Sequence, residues 1–204
     1  MSSSTAEKAM TATVRTSATR GVGEGLGSAS GAPGAAASGA PSAARLGIAI
    51  GPERLLIDLS EAGEIVPLPP VIVPVPLTRD WLLGLANLRG SLFTVVDLRR
   101  FALGVATDTN KESRILALTP ALDFNVTIIV SRMLGLRNTA SMKPAPVPAQ
   151  GEAGDASGFA DLGARDWLGA SHVDADGHRW RELSLSRLIR DPAFLSVSRN
   201  DLRA

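Results

Sequence analysis

Residues 81–99 read WLLGLANLRGSLFTVVDLR, and this stretch decides the fold class. Gly84 and Gly90 bracket a segment that ends in Asn-Leu-Arg, and glycine at both positions predicts a chain that turns where a Cβ would clash. The strand that follows is apolar on both faces, with Leu92, Val96 and Leu98 on one face and Phe93 and Val95 on the other. Because side chains alternate across a strand, we expect this strand between two packed layers.

Short strands lie on either side of this stretch. Upstream, residues 46–59 hold two apolar runs separated by Gly51-Pro52, and downstream, residues 167–185 hold two runs separated by Asp176-Gly177. Both dipeptides favour tight turns between antiparallel strands. Together with two runs over 114–130, roughly nine or ten short strands with almost no helical periodicity predict an all-β sandwich or barrel.

Helical signals are few and short. Thr78 as N-cap and Gly84 as terminator predict one helical turn over 77–83, and residues 186–190 predict a second one. Neither is long enough to form a layer of its own, so the core must be built from strands.

Composition divides the chain into parts. Residues 1–44 are mostly Ala, Gly and Ser, which predicts a disordered tail because they cannot bury enough apolar surface to offset the entropy of ordering. We expect the ordered domain over 45–197, with a long Pro/Gly/Ala-rich loop over 142–164 and a short C-terminal tail over 198–204. A linker near 105–112 divides the strands into two sets. Each set is too small to be comfortably stable alone, so the two subdomains are expected to share a core.

Charge and cysteine content exclude several classes of protein. The chain has 21 Lys and Arg against 20 Asp and Glu, a balance that argues against a protein dedicated to nucleic acid or to an anionic membrane surface. It has no cysteine, which excludes disulfides, thiolate catalysis and Cys-ligated metals. Its most apolar stretch, residues 65–77, is broken by prolines, and the N-terminus has no signal-peptide run. We therefore expect a cytoplasmic protein without direct membrane insertion.

No constellation of residues for catalysis or metal binding stands out. The two histidines, His172 and His178, are expected as surface imidazoles on opposite arms of one hairpin, too few for a metal site. Residues 174–177 (DADG) resemble the start of a calcium loop, but the spacing fits a hairpin turn better. We expect no catalytic residues, no metal and no cofactor.

One alternative function stays open at this point. Four arginines could form a basic strip on a small β-barrel that binds nucleic acid: Arg79, Arg89, Arg99 and Arg100. Few aromatic side chains are available to stack on bases, since the chain has no Tyr and 4% aromatic residues. A solvated basic face is the simpler interpretation.

The stretch 81–99 closely resembles the signature of the CheW-like family, bacterial coupling proteins that link chemoreceptors to a histidine kinase. The similar features are the two glycines six residues apart, Asn-Leu-Arg between them, and the strand ending in Val-Asp-Leu-Arg. The resemblance extends over about 45–195. Within the family the chain looks closest to the PilI-type branch of twitching motility, on four segments: residues 67–76, Gly169-Ala170, residues 177–180 and residues 191–195.

This resemblance implies two packed SH3-like five-stranded β-barrel subdomains with few short helices. One barrel end would contact the regulatory domain of a CheA-type histidine kinase. A hydrophobic groove between the barrels would receive the helical cytoplasmic tip of a methyl-accepting chemoreceptor. The positions that match the family's motif, and so the implied partner-binding residues, are Asn87, Leu88, Arg89 and Gly90. Thr94 and Asn125 depart from the family pattern and leave partner choice open.

Two residues of the motif have physical interpretations of their own. Arg89 carries a rigid fork of donors that suits a carboxylate, which could belong either to a partner or to this chain. Asp97 ends a buried strand and is expected to be structural, holding backbone amides.

Overall fold

The first predicted hairpin forms around its turn residues. The computed structural model describes residues 43–147, 158–159, 162 and 165–198, and in it β1 (Ala44–Ile50) pairs antiparallel with β2 (Glu53–Asp58). Gly51, in the turn, has a φ of 60°, a left-handed conformation that is inexpensive for glycine. The predicted tails over 1–44 and 198–204 lie almost wholly outside the described residues.

The strands form two sheets. The other strands are β3 (Ala62–Pro67), β4 (Leu82–Leu88), β5 (Ser91–Val96), β6 (Arg114–Leu118), β7 (Val126–Val130), β8 (Arg132–Asn138), β9 (Lys143–Ala145), β10 (Leu168–Val173) and β11 (Arg179–Leu183). One sheet has six strands in the order β8-β1-β2-β11-β10-β9, and the other has five in the order β3-β6-β7-β5-β4. The predicted hairpin across Asp176-Gly177 is present as β10 and β11.

The helices are short, and the predicted all-β class is confirmed. They are α1 (Leu98–Leu103), α2 (Leu185–Leu188), α3 (Pro192–Leu195) and two single 3₁₀ turns, Pro120–Leu122 and Thr139–Ser141. None of the helices in the described ranges has the length and apolar character that crossing a bilayer requires.

The five-stranded sheet is buried on both faces at its centre. On β6, Leu116 points into a large core that also contains Ile48 and Ile57 of the six-stranded sheet. Its neighbour Ile115 points the other way, into a smaller core with Ile129 of β7. This alternation follows from the two-residue period of a strand, and it gives the two sheets one shared core, as expected for the strand over 91–98 and its neighbours.

The division of strands between the sheets differs from the prediction. A boundary near 105–112 does not separate them, because β1 and β2 pair with the late strands β8 and β11, while β6 and β7 pair with the early strands β3 and β5. The six-stranded sheet also has one strand more than expected. That strand, β9, lies within the predicted loop over 142–164 and pairs with β10. Phe159 from the same loop is fully buried in the shared core.

The predicted helical turn over 77–83 is wrong. Leu77 has a φ of 60°, and the Thr78 hydroxyl donates to the Val75 carbonyl at 2.7 Å instead of capping a helix. Leu82 already belongs to β4. The end of the run, Leu82 and Leu83, belongs to an edge strand because pairing of that strand with β5 satisfies backbone groups that a single helical turn would leave largely unpaired.

A carboxylate ties the two sheets together away from the core. Glu61, just before β3, accepts hydrogen bonds from the start of α2: from the Ser184 hydroxyl at 3.0 Å, from the Leu185 N–H at 2.6 Å and from the Ser186 hydroxyl. A remote carboxylate therefore satisfies donors that this short helix leaves free at its N-terminus.

Candidate functional site

The Asn-Leu-Arg-Gly motif forms a two-residue hairpin turn between β4 and β5. Leu88 pairs with Ser91, and the two residues between them both have positive φ, 50° at Arg89 and 90° at Gly90. This is the geometry of a type I′ turn, whose twist matches that of the flanking strands. The Asn87 side-chain oxygen accepts the Gly90 N–H at 2.8 Å and holds the turn closed.

Gly90 is required for its backbone angle and not for space. A Cβ added there would meet no atom within 4 Å, so the expected clash at this position is wrong. A φ of 90° is strained for any residue with a side chain, which explains glycine here. The two central turn positions therefore differ: Arg89 tolerates a modest left-handed angle, and Gly90 takes the larger one.

The structure places the other motif residues in different environments. Leu88 is half-buried against the small core formed by Ala86, Val95, Ile115 and Ile129. Its side chain thus contributes to the fold. Asn87 and Arg89 are exposed, so the surface part of the motif reduces to the turn and the Arg89 guanidinium.

Arg89 forms an ion pair within the chain and remains open to a partner. Its Nη2 lies 2.6 Å from Oε1 of Glu64 on β3, the far edge of the five-stranded sheet, yet the Arg89 side chain is 81% exposed. An exposed pair of this kind contributes under about 1 kcal/mol to stability. Both alternatives for Arg89 are therefore compatible with its position, because one carboxylate does not use all five guanidinium donors.

A proline-rich segment, residues 69–76, lies along β4 beside this turn, and we call it the strap. It is joined to β4 at one point, where the Val73 N–H donates to Leu85 O and the Leu85 N–H donates to Val73 O, both at 2.8 Å. Gly84 lies under the strap with a φ of 142°, and a Cβ there would stand 2.6 Å from the Val73 carbonyl carbon and 2.9 Å from Pro74 Cα. Gly84 therefore has the steric role that the sequence predicts for it.

The strap and β5 together expose an apolar surface that reaches Asn87 at the start of the motif. Val71, Val73 and Leu92 are 65%, 58% and 56% exposed. They line a shallow groove of about 440 Å³ together with Pro69, Pro70, Leu85 and Asn87. We call Val71, Val73, Leu92 and Arg89 the strap face. Sequence reasoning missed it, because Leu92 was expected to be buried and the strap had no assigned partner.

Comparison with known proteins now assigns the chain to a family. Residues 45–191 match the CheW-like domain.

The chain belongs to the CheW-like domain family.

A solved structure supports the fold of this CheW-like chain. It is similar to the scaffolding protein TtCheW from Thermoanaerobacter tengcongensis, with a TM-score of 0.56 and 17% identity over 75% of this chain and 91% of that one. Curated proteins yielded no match to the sequence. The predicted CheW-like fold is confirmed, whereas the PilI-type branch stays a prediction.

Asp97 in the CheW-like domain holds the chain after β5. It is the N-cap of α1 and accepts the Arg100 N–H, and it also accepts the Thr107 N–H at 2.8 Å and the Thr107 hydroxyl at 2.7 Å. The residue is buried. Its carboxylate thereby fixes the connection between β5 and β6, which keeps the strand end beside the motif in place.

Apolar side chains at the border of the shared core are exposed to solvent in two places in the described part of the CheW-like domain. On the six-stranded sheet, Leu136 of β8 is 68% exposed although it pairs with the buried Leu46 on the same face. On the five-stranded sheet, a groove of about 350 Å³ is lined by Trp81, Leu82, Thr94, Val96, Phe124, Asn125, Val126, Phe194, Leu195 and Val197. In this second groove, Trp81 stacks on Phe194 of α3 with ring centroids 5.4 Å apart.

The polar groups around the β10–β11 hairpin bind one another. Contrary to expectation, His172 is not a surface imidazole: its side chain is 13% exposed and its Nε2 lies 3.1 Å from Glu182 Oε1. Asp174, Asp176 and His178 place one ligand atom each within 4.8 Å of one another. However, the Asp174 carboxylate already accepts the Asp176 and His178 N–H groups and the Trp180 indole N–H.

The indole hydrogen bond dominates the electrostatics of that hairpin. Together with the backbone N–H groups and the nearby His178, the Trp180 N–H lowers the pKa of Asp174 to about 2. A carboxylate held by so many donors is suited to closing a turn. The cluster therefore has a structural explanation that involves no metal.

Proposed function

We propose that this protein is a non-catalytic adaptor that couples chemoreceptors to a CheA-type histidine kinase. The observation that carries the proposal is the match to the CheW-like domain over 45–191. It is supported by the exposed guanidinium of Arg89 in the motif and by the exposed apolar side chains of the strap face. Its function would be geometric: holding two proteins in a fixed relation requires docking surfaces and no reacting group.

The strap face is the proposed docking site for the kinase regulatory domain. Interfaces are typically enriched in apolar side chains and arginine, because apolar area gives affinity and a charged fork gives specificity. Arg89 would meet a carboxylate of the kinase while Val71, Val73 and Leu92 lose contact with water. Of the four partner-binding residues proposed from the motif, Asn87, Arg89 and Gly90 lie at the exposed turn. Leu88 would support the turn by packing against the small core.

The margin of the shared core around Leu136 is the proposed site for the receptor. An amphipathic helical hairpin, such as a chemoreceptor's cytoplasmic tip, binds through its apolar face. Leu136 offers it an exposed apolar side chain on the six-stranded sheet, whereas the strap face lies on the five-stranded sheet. Because the five-stranded sheet is packed on both faces, movement of a bound receptor would be transmitted to the kinase through packed side chains and strands.

Twitching motility through type IV pili is the proposed setting, and it rests on the PilI-type resemblance alone. The strap is one of the similar segments, and α3 with its cap Asp191 is another. A direct comparison would offer the protein the regulatory domains of a pilus-associated and a flagellar CheA-type kinase. Tighter binding to the flagellar domain would contradict this setting without affecting the adaptor function.

Titration calorimetry with purified partners tests the adaptor function. We expect the protein to bind a CheA-type regulatory domain and a receptor cytoplasmic fragment independently, and to bridge them in a three-component sedimentation assay. Failure to bind either partner would contradict the proposal. A parallel titration with DNA and RNA examines the nucleic-acid alternative, which requires binding that weakens steeply with added salt.

A further inference from the structure

Gly84 is a buried residue of β4 and lies beneath the strap, away from the exposed part of the motif. The three atoms that an added Cβ would meet first all belong to the backbone of Val73 and Pro74. Backbone atoms cannot rotate aside as the end of a flexible side chain can. A Cβ at position 84 can therefore be accommodated only if the strap moves away from the sheet.

The strap supplies two of the three apolar residues in the strap face. Val71 and Val73 lie on it, whereas Leu92 and Arg89 lie on β5 and its turn. The relative height of the strap over β4 therefore sets how far the two valines stand from Leu92. The strap is held at that height by one pair of hydrogen bonds, between Val73 and Leu85, and by the packing of Ile72 against the small core.

We infer that Gly84 is a positioning residue for the docking surface: by having no side chain, it lets the strap sit close enough to β4 for Val71, Val73 and Leu92 to line one groove. The naming of this face as the kinase site rests on the function proposed above. The steric part of the inference stands on the distances at Gly84 alone.

The test uses Gly84→Ala with Gly104→Ala as its matched control. Gly104, the C-cap of α1, also has a positive φ, 71°, but a Cβ there would meet nothing within 4 Å. Both variants strain the backbone, and only the first displaces the strap. Amide hydrogen exchange at Val73 and Leu85 reports the strap directly, and affinities for the kinase regulatory domain and the receptor fragment report docking.

We expect the Val73 and Leu85 amides to exchange about tenfold faster in Gly84→Ala than in Gly104→Ala, since their mutual hydrogen bonds are stretched. Affinity for the kinase domain should fall about tenfold or more, with receptor binding within twofold of wild type. Unchanged exchange overturns the steric inference. Faster exchange with unchanged kinase binding overturns the positioning role, provided that Arg89→Glu still weakens that binding.

Two further comparisons keep the outcomes distinct. If neither Gly84→Ala nor Arg89→Glu changes kinase affinity, the kinase does not dock on the strap face, and the positioning role of Gly84 is overturned together with the proposed docking site. Hydrogen exchange at Val73 and Leu85 then still tests whether a Cβ at position 84 displaces the strap. If Gly84→Ala does not fold, Val73→Pro replaces it, because it removes the N–H that donates to Leu85. Val73→Pro should weaken kinase binding more than Val73→Ala, and equal affinities would overturn the inference.

Discussion

Reversing the charge of Arg89 separates its contribution to the fold from its contribution to binding. In Arg89→Glu, the ion pair with Glu64 becomes a repulsive pair on a surface where the Arg89 side chain is 81% exposed. Exposed pairs contribute under about 1 kcal/mol, so loss plus repulsion should destabilise the protein by about 1 kcal/mol. For a domain of this size that lowers Tm by about 2–4 °C.

Binding should respond much more strongly than stability. If Arg89 meets a kinase carboxylate at the centre of the strap face, placing a glutamate there should weaken the complex by about 30-fold or more. Calorimetry measures both quantities, as Tm in a thermal scan and as affinity in a titration. Arg179→Glu is the matched control, since Arg179 is an exposed arginine at the start of β11 in the other sheet.

The double variant Arg89→Glu with Glu64→Arg makes the distinction sharper. It rebuilds the ion pair with opposite polarity, so Tm should return to near the wild-type value while kinase affinity stays low. Recovery of affinity in the double variant would mean that the intact pair, and not the arginine, matters to the kinase. A fall in Tm of more than about 8 °C in Arg89→Glu would refute the reasoning, because an exposed pair cannot contribute that much.

Other perturbations test the fold. Glu61→Ala removes the carboxylate that accepts three hydrogen bonds from α2, and it should lower the free energy of unfolding measured in urea by about 2 kcal/mol. Glu61→Gln should lower it less, because the amide oxygen can still accept. Equal losses in the two variants would contradict an acceptor role for Glu61. Gly90→Val should cost about 2 kcal/mol because of its left-handed φ, and Gly90→Asn clearly less, by thermal denaturation. The folded-state pKa of Asp174 lies below its ordinary value, so the stability that this carboxylate contributes is fully present above about pH 4 and is lost as pH falls through about 2. The indole N–H resonance of Trp180 should shift with a midpoint at that lower pH. A midpoint near 4 would contradict the hydrogen bond between Trp180 and Asp174. Deleting residues 2–42, which keeps Ala43 and all of β1, should change neither Tm nor partner affinity.

Local signals in the sequence identified the elements that depend on nearby residues. Gly51-Pro52 and Asp176-Gly177 predicted hairpins that are present, because turn geometry is set by the backbone preferences of two or three residues. The helical turn over 77–83 failed for a related reason. Its capping signals were real preferences, but strand pairing of β4 offered more hydrogen bonds than one isolated turn.

Burial was predicted less well at the ends of strands than at their centres. Leu92 follows the same alternation as Val96, yet Val96 is buried in the shared core and Leu92 is exposed. Likewise Phe159, in a segment whose composition predicts a loop, is fully buried. Alternation indicates which face a side chain lies on, and only the neighbouring layer determines whether that face is covered.

By itself, the sequence determined an all-β chain of short strands, a central strand apolar on both faces and a motif that turns at Arg89-Gly90, since each depends on residues close together in the chain. The tertiary structure decided which strands share a sheet, that Glu64 lies within reach of Arg89, and that a strap rests on Gly84. These contacts join segments brought together by packing, and their free energies depend on loop closure and on the shapes of distant side chains, which local preferences do not encode.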